Sequence, residues 1–129
     1  SALGHLHEKN IVFRGLRPRS VLLDWYGHPR VCDFSLAREL KSEKAYTLCG
    51  GLGYIAPEII SFQGYDWMAD YWSLGCIIFE LVVGYPPFED QSVLQTNSSI
   101  DPIEVMQRAM TNSIEISIPP FPEENPKDD

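Results

Sequence analysis

The chain has 129 residues, 44% of them apolar, and a formal net charge of −8. That length holds one domain or part of one, and with no run of about 18 apolar residues no membrane span is expected. The charge is uneven: residues 1–44 carry eight Lys/Arg and five Asp/Glu, residues 45–129 carry two and thirteen, a balance that disfavours nucleic acid and suits a basic peptide or protein surface.

In chain order, Ser1-Ala2-Leu3-Gly4-His5 shows no basic region followed by an apolar one, so no signal peptide is expected. The missing initiator Met points to a fragment or a processed product. Residues 1–9 are predicted helical, with Leu3 and Leu6 on one face and Asn10 as the stop. Ile11-Val12-Phe13 is a short extended run. The loop Phe13-Arg14-Gly15-Leu16-Arg17-Pro18-Arg19-Ser20 follows, holding three arginines and no carboxylate. A loop between regular elements is where chemistry is usually placed, yet this one can bind anions and offers no general base. Val21–Asp24 and Arg30–Phe34 are predicted to form a hairpin about a turn containing Gly27. Residues 35–55 lack sustained periodicity and are expected to form a long loop.

Pro57 suits the first turn of a short helix ending near Ile60, with Gly64-Tyr65 as its end. The strongest helical pattern runs from Trp67 to Val83, with apolar residues all round, so it is expected to be buried on most faces. Gly84-Tyr85-Pro86-Pro87 stops it. Residues 90–99 are polar and loop-like. Pro102–Thr111 is predicted as an amphipathic helix capped by Asp101, with Ile103, Met106 and Met110 as its packing face. Ile114–Ile118 alternates like a strand, and from Pro122 the composition is that of a disordered acidic tail. No internal repeat is present. Cys32, Cys49 and Cys76 cannot all pair and have no CxxC spacing, so reduced thiols in a cytoplasmic protein are expected. His5 and His7 would need two more ligands, and His28 stands alone, so no zinc site is expected.

Four segments fall in one order: Arg14-Gly15-Leu16 ahead of Ser20, Asp33-Phe34-Ser35, Ala56-Pro57-Glu58, and Asp70-Tyr71-Trp72-Ser73-Leu74-Gly75. Their order and spacing resemble the C-terminal lobe of a eukaryotic Ser/Thr protein kinase, with its motifs H-R-D-L-x-x-x-N, D-F-G and A-P-E. Thr47-Leu48-Cys49-Gly50, Ala69–Gly75 and Gly84–Phe88 resemble the cyclic-nucleotide-dependent (AGC) branch, cGMP-dependent kinases included. The resemblance covers residues 2 to about 120. It implies an α+β, mainly α fold, with helices around a buried central helix plus a small hairpin. It implies a partial kinase domain over residues 1–121 and a tail over 122–129. No Gly-rich loop or N-lobe lysine is present in the sequence.

The resemblance also implies roles. ATP and Mg²⁺ are the family's cofactors, and catalysis there is positioning and charge neutralisation. Gly15 stands where the family has its Asp base, so that role is lost. Ser20 stands at the metal-binding Asn, a shorter and poorer ligand. Arg17 replaces a Lys near the transferred phosphate, keeping the charge with a different donor geometry. Asp33, the Mg²⁺ carboxylate, is retained, while Ser35 replaces the following glycine. Thr47 matches the activation-loop phosphosite, and its phosphate would pair with Arg14. Gly50-Gly51-Leu52-Gly53 replaces Gly-Thr-Pro-Glu, removing a hydroxyl and an acidic substrate contact; with no Gly-Lys-Ser/Thr after it, this is not a phosphate loop. Glu80 keeps the substrate-groove acid, and Arg19 reverses another. Phe13 and Phe34 are expected to stack, Asp70 to hydrogen-bond the catalytic-loop backbone, and Glu58 to lack its late arginine partner. The expectation is a kinase-fold fragment impaired in catalysis that works by protein binding. The alternative is an active Ser/Thr kinase acting on basic proteins, with its N-lobe outside this sequence.

Overall fold

A computed structural model of the chain describes residues 1–89 and 99–114. Helix α1 (Ala2–His7) starts at Ser1, whose hydroxyl accepts the Gly4 amide, and ends before Asn10, which takes a left-handed φ of 56°. Strand β1 (Ile11–Val12) leads into the arginine-rich loop, and Pro18–Ser20 within it forms one 3-10 turn. Strands β2 (Val21–Leu23) and β3 (Pro29–Val31) form the expected hairpin, with Val21 opposite Val31. Asp24 closes its turn by accepting the Tyr26 and His28 amides and the Arg30 Nε–H. The His28 amide chiefly holds its carboxyl below the usual range. Gly27 supplies the positive φ that such a turn needs, at 82°.

The loop expected over residues 35–55 is less irregular than its sequence. Phe34–Leu36 makes a 3-10 turn, and β4 (Arg38–Glu39) pairs antiparallel with β1. Further on, Ala45 and Tyr65 exchange backbone hydrogen bonds of 2.7 and 2.9 Å. These pairings join residues far apart in sequence, so local periodicity carries no trace of them.

Helix α2 (Pro57–Ile60) has Pro57 in its first turn, and Phe62, with φ 55°, already turns the chain away ahead of Gly64. Helix α3 (Met68–Val83) ends at Gly84, with φ 95°. Helix α4 (Pro102–Thr111) is capped by Asp101, whose carboxylate accepts the Ile103 amide.

Helix α3 joins the core together. Val12, Ala45, Ile55, Ala56, Ile59 and Tyr65 pack with its Ala69. Leu3, Phe13 and Leu16 pack with its Ile77. Phe88, Val105 and Ala109 pack with its Cys76. Yet α3 is not buried on most faces. Met68, Tyr71, Gly75, Ile78 and Val82 form an exposed stripe at three- and four-residue spacing, and Leu81 and Val82 are 79% and 75% exposed. An all-round apolar sequence says that a helix can be covered on every side, whereas the described residues cover one side of it. The packing face of α4 also differs from expectation. Val105 and Ala109 are buried, while Ile103 and Met110 are exposed, because the rotation that seats α4 against Phe88 and Cys76 turns them outward. Residues 90–98, the strand expected from Ile114 and the acidic tail fall outside the described residues, Ile114 itself excepted. The architecture is a small α+β arrangement, two short two-stranded sheets beside four helices among the described residues.

Candidate functional site

The loop Phe13–Ser20 is fixed from beneath by α3. Asp70, 1% exposed, accepts the Arg14 amide at 2.8 Å on Oδ1 and the Phe13 amide at 2.9 Å on Oδ2. His7 Nε2 lies 2.8 Å from the same Oδ2, so α1 is tied to the same carboxylate. The His7 ring is held between Trp67 and Tyr71, and its Nδ1 is buried without a partner among the described residues. Orphan backbone donors beneath a loop are costly, and one carboxylate with two oxygens satisfies both of these. With its backbone held this way, Arg14 takes the left-handed φ of 62°. Phe13 is fully buried and meets Phe34 edge to face at 5.3 Å between ring centres, though Phe34 itself is half exposed.

Ser20 closes the loop and is 1% exposed. Its hydroxyl accepts the Arg17 amide at 3.0 Å and donates to the Arg17 carbonyl at 2.8 Å. Its proton and one of its two lone pairs are therefore spent on the loop. Gly15 is buried, and a side chain added there would meet Leu36 at an ordinary 3.6 Å, so its backbone position leaves room for a Cβ.

Asp33 sits in the left-handed region at φ 64°, with Oδ1 accepting the Ser35 hydroxyl at 2.6 Å and the Ser35 amide at 3.3 Å. Arg17 Nη2 lies 4.0 Å from Oδ2. The Ser35 hydroxyl chiefly, then its amide, with Arg17 and Arg19 contributing, holds the carboxyl below the usual range. The Ser35 that replaces the family glycine thus binds the carboxylate preceding it. Proteins of the kinase family use ATP and Mg²⁺. Mg²⁺ is typically held by one or two carboxylates with phosphates and waters. Asp33 supplies one such carboxylate, and among the described residues no group of three His, Cys, Asp or Glu that could hold a metal ion by itself lies around it.

The segment after β4 reaches the loop by a route the sequence did not indicate. Arg14 Nε donates to the Leu36 carbonyl at 2.7 Å and Nη1 to the Tyr65 hydroxyl at 3.1 Å. Thr47 Oγ1 is met instead by Arg38 Nη1 at 3.3 Å. Arg38 and Tyr65 were missed; neither lies in a recognised motif, and only the basic character of Arg38 next to Asp33-Phe34-Ser35 could have suggested one of them. Gly50, with φ 127°, crosses the Arg14 carbonyl so closely that a Cβ would come within 3.2 Å of it. At Gly51 a Cβ would meet the Arg17 stem at 3.2 Å, so the longer side chain at 17 occupies the side left open by the missing one at 51.

Beyond this segment, the Tyr54 hydroxyl donates to Glu80 on α3, and the Ser73 hydroxyl donates to the Tyr54 carbonyl at 2.7 Å. Glu89 Oε1 lies 3.1 Å from the Cβ position of Gly53, so a carboxylate from the segment after α3 lies beside the residue that lost one. Burial, then the charge of Glu80, raises the Glu89 carboxyl above its ordinary value. Glu58 is partly buried and makes no ion pair among the described residues. Cys32, Cys49 and Cys76 are free thiols, and burial pushes Cys76 up to about 12.

This combination defines a kinase-type loop framework: a buried helix carboxylate under an Arg-Gly-Leu loop, an Asp-Phe turn beside it, and a threonine-bearing segment over both. A family model described as "Protein kinase domain" matches residues 1–127, and the chain belongs to that family. The cAMP-dependent protein kinase catalytic subunit of Schizosaccharomyces pombe is 44% identical over 99 residues, 77% of this chain and 19% of that protein. In Drosophila melanogaster, cAMP-dependent protein kinase catalytic subunit 3 is 46% identical over 91 residues, 70% of this chain and 15% of that protein. The cGMP-dependent protein kinase, isozyme 2 forms cD5/T2, of the same organism is 39% identical over 117 residues, 87% of this chain and 12% of that protein. The chain spans less than a fifth of the length of each of these relatives. No helix among the described residues is long and apolar enough to cross a membrane.

Proposed function

We propose that the chain is C-terminal-lobe material of an AGC-type protein kinase domain, impaired in phosphoryl transfer, which acts by binding a protein or basic peptide in the cytoplasm. The observation that carries this reading is the state of Ser20. Its hydroxyl, at the position of the family's second metal ligand, is buried and committed to Arg17 in both directions. The same loop has no side chain at Gly15, where the base would stand. Losing positioned proton transfer and charge neutralisation together costs several powers of ten in rate. What is retained supports binding: Asp70 holds the loop, Arg38 meets Thr47 and Arg14 reaches it through Tyr65, and Glu80 and Glu89 bring two carboxylates near one another for a basic chain.

The second reading is a Ser/Thr kinase using ATP and Mg²⁺, with its N-lobe outside this sequence. Asp33 favours it, since its carboxylate is kept ionised and partly exposed. One experiment separates the two. Phosphate transfer from ATP to an arginine-rich peptide is followed with Mg²⁺ for the native chain and Asp33→Ala, each joined behind the N-lobe of an active AGC-type kinase, alongside peptide binding by fluorescence anisotropy. The expected result is no transfer by either protein and equal peptide binding by both. Mg²⁺-dependent transfer by the native chain that disappears in Asp33→Ala would establish the second reading instead.

A further inference from the structure

Tyr65 follows α2, outside every motif that carries the family resemblance, and is 2% exposed. It belongs to one buried cluster with Val12, Ala45, Ile55, Ala56, Ile59 and Ala69. Its hydroxyl lies where two loops meet. It donates its single proton to the Thr47 carbonyl at 2.7 Å and accepts from Arg14 Nη1 at 3.1 Å. With that proton used, the Cys49 thiol, 3.7 Å away, is left as a weak donor to the remaining lone pair. Burial raises the phenol above its ordinary value, so it stays protonated at neutral pH. The Tyr65 backbone holds the other end of the segment through its two bonds to Ala45.

We propose that Tyr65 is the positioning residue for Ala45–Cys49, tying this segment to Arg14 through the Thr47 carbonyl so that it keeps its place without modification of the Thr47 side chain. The part-buried bond from Tyr65 goes to the main chain of Thr47, whereas its Oγ1 has the exposed Arg38 contact at 3.3 Å. A charge-assisted bond from Arg14 into a buried phenol is stronger than a neutral one and is not screened by solvent. The inference goes beyond the proposed function and does not depend on whether the chain transfers phosphate.

The test is amide hydrogen exchange on the whole chain as Tyr65→Phe and as Thr47→Val, with alkylation rates of Cys49 and the buried Cys76 mapped by mass spectrometry. Tyr65→Phe keeps the ring and removes only the hydroxyl. Exchange at the paired Ala45 and Tyr65 amides, which hold the segment's other end, is expected to rise about tenfold or more, the loss of roughly one hydrogen bond opening the segment locally. Cys49 should be alkylated faster relative to Cys76, and Thr47→Val should leave both readouts within about twofold of native, as for a contact exposed to solvent. An unchanged Tyr65→Phe overturns the proposal, as does equal loosening by Thr47→Val. Should Tyr65→Phe destabilise the whole chain, both thiols would accelerate in parallel, and that outcome overturns the local assignment too.

Discussion

Asp70→Ala removes the acceptor for two backbone donors and leaves His7 without its carboxylate. The Phe13 and Arg14 amides are enclosed where water does not replace the lost partner, and each unsatisfied buried donor costs about 1–3 kcal/mol. The sum is about 2–6 kcal/mol, against the roughly 5–15 kcal/mol of a typical domain. Less than that typical reserve is expected here, because Ile78, Leu81 and Val82 leave apolar surface open. Asp70→Ala should therefore erase most or all of the cooperative transition. Asp70→Asn retains one acceptor oxygen but turns an amide donor toward a donor, so about half that loss is expected. Urea unfolding followed by tryptophan fluorescence measures both, since Trp67 packs on the His7 ring 5.5 Å away and reports on this corner. With a slope of about 1–3 kcal/mol per molar urea, the Asn variant should lower the midpoint by about 1 M. An Asp70→Ala protein with an unchanged midpoint and slope would refute the view that this carboxylate holds the loop.

Ser20→Ala should cost about 1–2 kcal/mol by urea unfolding, since both its bonds to Arg17 are lost in a buried site. Its calorimetric response to Mg²⁺ should match that of the native chain, and a Mg²⁺ heat present in the native chain and lost in the variant would return Ser20 to a metal role. Glu89→Gln should raise the melting temperature near neutral pH. Burial and Glu80 raise the Glu89 carboxyl above its ordinary 4.5. A raised acid stabilises the fold below the unfolded value, and that stability is lost as pH climbs through the folded one. The native chain should weaken as pH rises from about 4.5 through that raised value, and the Gln variant should lose this part of the slope. Identical pH profiles for the two proteins would show that Glu89 is not strained. The phosphate-transfer comparison of the native chain with Asp33→Ala tests the functional reading directly.

Much of the local structure could be written from the sequence. Ser1 and Asp101 as caps, the hairpin turn about Gly27, Pro57 opening α2 and Gly84 ending α3 all follow from backbone preferences acting over a few residues. The order of the Arg-Gly-Leu, Asp-Phe-Ser and Ala-Pro-Glu segments was equally legible and led to the family. What those side chains touch was less so. The expected partner of a phosphate on Thr47 is Arg14; the free hydroxyl meets Arg38, because β4 brings Arg38 alongside while Tyr65 takes the Arg14 guanidinium. Ile103 and Met110 looked like a packing face, and Val105 and Ala109 are the ones buried, since periodicity gives a face but not its rotation against a neighbour.

The loop from Phe13 to Ser20 shows the division clearly. The sequence alone determined that Gly15 has no side chain to serve as a base, because an absent group cannot be supplied by folding. The resemblance carried by its motifs implied that Asp70 would hydrogen-bond this loop from the long helix. Only the tertiary structure decided that the Ser20 hydroxyl is turned into the loop, that Glu89 lies beside Gly53, and that Tyr65 joins Arg14 to Thr47. The physical reason is one of range. Propensity and capping act through bonds within a turn or two, whereas burial and hydrogen-bond partners are set by segments that meet after dozens of residues.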